Sequence, residues 1–229
     1  MKMQLLIIVA VVLFTASGLY AGPTDKIFTS SGQILTGEEW ANVFVYNDTT
    51  VVDMNGGLVD SIGTYNASVV NITGGLVSTL DALEFSIANI SGGYVYGAHA
   101  GDHAVINFSG DAIAVRLGAG SHFGTVNMSG GFTQYIGAGD SGTINLYGGV
   151  ITKSLGAVDS AIVNIYGYGN YDPTAGNYDG GQLTGSWLDD TPFTIDLYGV
   201  ETYSHINFIP EPGSLILLAI GSMFLKRKR

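Results

Sequence analysis

The chain has 229 residues, 34 of them glycine and none cysteine, with 46% hydrophobic and 12% charged residues. The lack of cysteine excludes disulfides and thiolate metal sites, and the apolar content is too high for a disordered chain. The formal charge is −11, and five of the eight basic residues sit at the ends as Lys2, Lys226, Arg227, Lys228 and Arg229. Lys26, Arg116 and Lys153 are the only others, set against 19 acidic residues, so the chain lacks the basic face that a nucleic-acid partner requires. Abundant Gly, Val, Ile, Thr and Tyr point to one domain of short strands and tight turns.

The N-terminus reads as a secretory signal over residues 1–21. Lys2 supplies the positive start, the apolar run Leu5 to Phe14 is too short to span a bilayer, and the small residues Ala16, Ser17 and Gly18 follow. Cleavage after Gly18 or after Ala21 fits, and an uncleaved anchor is the competing reading. Residues 22–47 read as an N-terminal cap, with Trp40, Val43, Phe44 and Val45 apolar enough to cover an open core.

Residues 48–167 are a repeat. Asn71-Ile-Thr-Gly-Gly returns as Asn89-Ile-Ser-Gly-Gly, Asn127-Met-Ser-Gly-Gly and Asn145-Leu-Tyr-Gly-Gly, with weaker copies at Asp53, Asn107 and Asn164. The anchors are spaced 18, 18, 18, 20, 18 and 19 residues apart. That period is too short for a helical pair and fits one turn of a parallel β-helix. The spacing predicts an all-β solenoid of about seven coils; spacing does not fix its hand, which is taken as right-handed, and the apolar terminal segments are expected to add a signal helix and a sorting helix. Alternation turns Val70 and Ile72, or Ile144 and Leu146, inward and the anchor Asn outward. Gly74-Gly75 and Gly130-Gly131 predict one sharp corner. Gly118-Ala119, Gly137-Ala138 and Gly156-Ala157 predict a second. Rungs about 4.8 Å apart would make a rod roughly 30 to 35 Å long.

Residues 168–208 break the period. Tyr168 to Asp190 reads as an insertion loop, and Phe193 to Leu197 and His205 to Phe208 read as closing strands. The tail, residues 209–229, runs Ile209-Pro210-Glu211-Pro212, then the apolar stretch Leu215 to Leu225, then the basic cluster Lys226 to Arg229. This order resembles the PEP-CTERM sorting signal of Gram-negative bacteria, with Pro210, Glu211 and Pro212 as the matching motif. The resemblance implies recognition by an exosortase-type processing enzyme, removal of the tail, and release to the cell surface, outer membrane or an extracellular polysaccharide matrix. The apolar run would contact the membrane only transiently, since it is short for a permanent span and its basic end favours the cytoplasmic side. An ordinary C-terminal anchor is the competing reading.

Two columns of residues stand out in the repeat. The anchor asparagines would stack as an outward amide ladder. Asn71, Asn89, Asn107 and Asn127 also match the N-glycosylation pattern, but strand positions disfavour modification. Five residues before each anchor stand Asp48, Asn66, Glu84, Asp102, His122, Asp140 and Asp159. Such a column suits turns in which the side chain bonds backbone, and Asp102, Asp140 and Asp159 are also candidate Ca²⁺ ligands.

Other clusters carry weaker signals. His99, Asp102 and His103, with His122 a coil away, are a second metal candidate. Gly139-Asp140-Ser141-Gly142 resembles the nucleophile loop of trypsin-like proteases, yet Asp159-Ser160-Ala161 occupies the same place in the next copy, which makes it a repeat corner. Tyr171, Tyr178 and Trp187, with Asp172, Asp179, Asp189 and Asp190, suit either sugar binding or a capping loop. No catalytic residue is assigned. The repeat is also similar in pattern to passenger-type β-solenoids of bacterial surface proteins. The favoured reading is an exported non-enzymatic structural or adhesive protein, and the alternative is a polysaccharide-binding or polysaccharide-degrading β-helix, with two facing carboxylates required for hydrolysis.

Overall fold

The computed structural model describes residues 24–210. The signal segment, and all but the first two residues of the expected sorting segment, lie outside the described residues. In chain order the strands are β1 (Lys26–Phe28), β2 (Gly32–Ile34), β3 (Glu39–Val45), β4 (Val51–Thr64), β5 (Val69–Ala82), β6 (Ile87–Ile90), β7 (Tyr94–Asp102) and β8 (Val105–Phe108). They continue as β9 (Ile113–His122), β10 (Thr125–Ala138), β11 (Thr143–Ala157), β12 (Ile162–Asp172), β13 (Gln182–Trp187), β14 (Pro192–Tyr198) and β15 (Ile206–Ile209). A short 3₁₀ turn, Thr202–His205, precedes β15.

The fold is all-β, a β-solenoid of about seven turns. Parallel pairing joins each coil to the next in the register that the repeat implies. Asp53 pairs with Asn71, Asn71 with Asn89, Asn89 with Asn107, Asn107 with Asn127, Asn127 with Asn145 and Asn145 with Asn164. The apolar neighbours form inward columns. Val52, Val70, Ala88, Ile106, Val126, Ile144 and Val163 make one, and Met54, Ile72, Ile90, Phe108, Met128, Leu146 and Ile165 another; all are fully buried. Each residue is covered above and below by its counterparts, so no coil could bury this surface alone.

The Gly-Gly corner is where expected. Its second glycine takes positive φ, for example +89° at Gly75 and +75° at Gly131. A Cβ at Gly75 would lie 2.6 Å from Met54 Cε and 2.7 Å from the Gly56 carbonyl carbon, so both the backbone angle and the stacking demand glycine. After this corner the strand does not alternate strictly. Val77, Leu80 and Ala82 all point inward, with Ser78 and Thr79 both outward between them, so the strand bends and the coil gains a further side.

The second corner differs from the expectation. Gly118-Ala119, Gly137-Ala138 and Gly156-Ala157 lie within strands β9, β10 and β11, paired Gly to Gly and Ala to Ala. The alanines point inward and are buried. The chain turns just beyond them, at Asn66, Glu84, Asp102, Asp140 and Asp159, each left-handed with φ between 51° and 60°. Short polar side chains tolerate that region by bonding locally.

At the N-terminal end, β2 and β3 lie on β4 in the coil register, with Gln33 beside Asp53 and Val43 beside Ile62. The segment read as a cap therefore covers the stack as a coil in its own right. At the other end the chain leaves the solenoid after Tyr166. The expected loop Tyr168 to Asp190 carries the end of β12 and all of β13, which form an antiparallel meander with β14, the expected closing strand at Phe193 to Leu197. Leu197 and Tyr198 of β14 then pair with Leu155 and Gly156, and β15 pairs with β12, closing the stack. Trp187 is 3% exposed and packs on Phe193 with ring centroids 4.5 Å apart, so it belongs to the closing core and is not available to a ligand.

Candidate functional site

The outward columns are occupied first by bonds between coils. Asn71 Nδ2 donates to Asp53 Oδ1 at 2.7 Å, and Asn89 to Asn71 and Asn107 to Asn89 each at 2.8 Å. Asn127 donates to Asn107 at 2.9 Å, Asn145 to Asn127 at 2.8 Å, Asn164 to Asn145 at 2.9 Å and Asn207 to Asn164 at 3.3 Å. Only an amide both donates and accepts in one plane, which explains the residue type. Every amide nitrogen points toward the N-terminal coils, and the run ends on the carboxylate of Asp53, which needs only to accept. The half-buried amides of Asn71, Asn89, Asn107 and Asn127 are thus committed to one another.

The second column also ties coil to coil. Its side chains accept from the backbone N–H of the corner residue one coil earlier. Asn66 N donates to Glu84 Oε2 at 2.6 Å, Ser121 N to Asp140 Oδ2 at 3.0 Å, Asp140 N to Asp159 Oδ2 at 3.3 Å and Glu84 N to Asp102 Oδ2 at 3.4 Å. In the first copy the left-handed corner residue is Asn47, with φ +77°, and Asp48 instead accepts from Ala67 N at 3.3 Å. In the longest copy Ser121 and His122 are both left-handed, and His122 Nδ1 lies 3.5 Å from Asp102 Oδ1 on the surface. Asp102, Asp140 and Asp159 therefore each hold a backbone amide. Among the described residues no group of three His, Asp or Glu side chains converges as metal ligands.

The histidines read as one metal candidate serve different places. His103 stacks between Phe85 and Phe123, with centroids 5.1 and 5.2 Å away. His99 lies on β7, where its ring sits over Gly118: Cδ2 would be 3.2 Å from a Cβ there. Asp140 of the Gly139-Asp140-Ser141-Gly142 segment is a left-handed corner residue, and a Cβ at Gly142 would lie 2.5 Å from Ala119 O.

One concave feature stands out, and it lies on the side formed by the second half of each coil. A groove of about 710 Å³ is lined by Asp81, His99, Arg116, Tyr135, Tyr178 and Tyr198, with glycine backbone between them. The register explains its shape. Asp81, His99, Gly118, Gly137 and Gly156 form one outward column, and Thr79, Gly97, Arg116, Tyr135 and Ser154 form the next. Where three successive coils carry glycine, the surface drops to the peptide planes. Tyr178 and Tyr198 of the closing meander wall off the far end. Tyr178 has its pKa raised, first by desolvation and then by the neighbouring Tyr135, whose hydroxyl it meets.

Arg116 lines this groove without an ion pair among the described residues; the pairs there are Lys26 with Glu38 and His122 with Asp102, each at 3.5 Å. Arg116, His99 and Tyr178 lie far apart in the sequence, and the coil register and closing meander bring them to one groove. The signal was present as glycine recurring at one coil position, which the corner reading absorbed. Tyr171, grouped with Tyr178 by sequence, instead stacks on Tyr203 at 3.8 Å and donates to Gly180 O at 3.1 Å. No family model, curated protein or solved structure matches this chain.

Proposed function

We propose that this is an exported, non-enzymatic structural or adhesive protein of the bacterial cell surface or extracellular matrix, delivered through a PEP-CTERM-type signal by an exosortase-like system. The observation that carries the structural role is the continuous hydrogen-bonded run from Asp53 to Asn207, which links successive coils along one flank. A chain so arranged is a stiff spacer, held by packing and amide bonds without cysteine. The delivery reading rests on the order of Pro210-Glu211-Pro212, an apolar stretch and a basic end. Right-handed winding is the hand that twisted parallel strands favour.

The test is expression in Gram-negative cells with and without an exosortase. The proposal expects surface or medium fractions to contain a chain lacking its C-terminal residues only when the enzyme is present. Replacing Pro210, Glu211 and Pro212 with alanine should leave the tail attached. Equal processing in both hosts overturns the delivery reading. The alternative, a polysaccharide-binding protein, is favoured by one specific feature, the glycine-floored groove.

A further inference from the structure

We propose that the groove over Gly118, Gly137 and Gly156 is a binding site for an acidic polysaccharide, one that carries carboxylates on its sugar rings. This deepens the polysaccharide-binding alternative and rests on it.

Three observations converge. The first is shape. The groove follows the coil axis from Leu80 through Leu117 and Ile136 to Tyr198, which spans five rung intervals, on the order of 24 Å. An extended polymer fits a trench of that form, whereas a compact ligand would fill only part of it. The second is surface chemistry. Tyr135 and Tyr198 are 38% and 62% exposed, so aromatic rings are available at one end of an open peptide floor. Sugar C–H faces pack on such rings, and ring hydroxyls reach the phenol groups.

The third is charge. Three basic residues lie within the described part of a strongly acidic chain, and Lys26 is paired with Glu38. Of the other two, Arg116 lines the groove, and Lys153 is the chain neighbour of Ser154, which also lines it. Arg116 is in register with Tyr135, and Tyr135 with Ser154, the neighbour of Lys153. The two cations thus stand about two rungs apart, roughly 10 Å. The guanidinium can donate two parallel bonds to a carboxylate, an acceptor that a neutral sugar does not offer. The net charge of the molecule opposes an anionic ligand at long range, but salt screens that repulsion beyond about 8 Å at physiological ionic strength. Asp81 at the near end sets a limit on how far the anionic chain extends.

The experiment is affinity electrophoresis of the full chain in native gels cast with polygalacturonate or with neutral dextran. Polygalacturonate should retard the protein and dextran should not, and added NaCl should weaken the retardation. Arg116→Gln should weaken binding roughly tenfold, the scale of one charge-assisted contact. Gly137→Phe should abolish it by filling the floor; the nearest atom to a Cβ there is Gly156 O at 3.5 Å, so the fold tolerates a side chain. Tyr147→Ala, on a different side, should bind as the parent does, and circular dichroism checks that each variant is folded. No retardation by polygalacturonate, equal retardation by dextran, or binding that survives both groove substitutions overturns the proposal. The gel reads the groove alone, so it can fail while tail processing succeeds, and the reverse.

Discussion

Asn107 sits in the middle of the amide ladder, donating to Asn89 at 2.8 Å and accepting from Asn127 at 2.9 Å. Replacing it with alanine removes both bonds and strands one acceptor and one donor in half-buried positions. A neutral intramolecular bond contributes about 1 kcal/mol net, so the loss should be about 2 kcal/mol, more if the orphaned amides find no water. For a domain of this size that lowers Tm by roughly 4 to 8 °C. Asn207→Ala removes one exposed bond of 3.3 Å at the end of the run, and should cost less than about 0.5 kcal/mol. Asn107→Asp is the sharper probe. The new carboxylate still accepts from Asn127 but faces the Asn89 oxygen with no proton to share. It should be worse than alanine at pH 7 and recover as acid protonates it. Thermal melts by circular dichroism at pH 4 and pH 7 measure all three. If Asn107→Ala costs no more than Asn207→Ala, the ladder does not stabilise the stack.

The corners and the closing meander can be probed in the same way. Gly75→Ala should destabilise by at least about 2 kcal/mol, since φ is +89° and the methyl meets Met54 and Gly56, whereas Gly97→Ala, whose nearest neighbour is Ser78 O at 3.9 Å, should be neutral in urea unfolding. Glu84→Ala should cost about 1 kcal/mol by removing the acceptor for Asn66 N and Nδ2; because the corner oxygens hold amides, melting with excess EDTA or with Ca²⁺ should give the same Tm, and a calcium-dependent rise would restore a metal role for Asp102, Asp140 and Asp159. Burial alone would raise the Asp196 pKa, but bonds from Gln182 and Asn177 outweigh it and hold the carboxyl below its usual value. Its folded value lies below the unfolded one of about 3.9, so its contribution is intact at neutral pH and is lost as pH falls through the folded value. Asp196→Ala should lower stability at pH 7 and remove that part of the acid sensitivity, as followed by Trp187 fluorescence.

The stacking register was legible because Asn71, Asn89 and Asn127 keep one residue type between apolar neighbours, and the coils from Asn71 to Asn164 repeat it. The Gly-Gly corner was legible for the same reason. The Gly137-Ala138 and Gly156-Ala157 pairs misled because glycine reads as a break, while the actual turn is made by Asp140 and Asp159 in a left-handed backbone that their side chains support. The coil at residues 32–45 was hidden because it has neither a Gly-Gly pair nor an asparagine anchor; Gln33 stands in that column instead. The meander was hidden by turn-forming residues around Gln182 to Trp187, whose alternation is short. The groove was least visible, because it is made by side chains that are missing from three adjacent coils, and only the register reveals that they are adjacent.

The amide run is self-compatible: every asparagine offers the next coil the same acceptor and presents the previous coil with the same donor. A stretch of 18 residues such as 71–88 could therefore be excised or copied, and the flanking turns would still meet their partners, Asn89 closing directly onto Asp53. The height of this molecule is thus quantised, adjustable by whole storeys of about 4.8 Å, with no new interface to be evolved at the join.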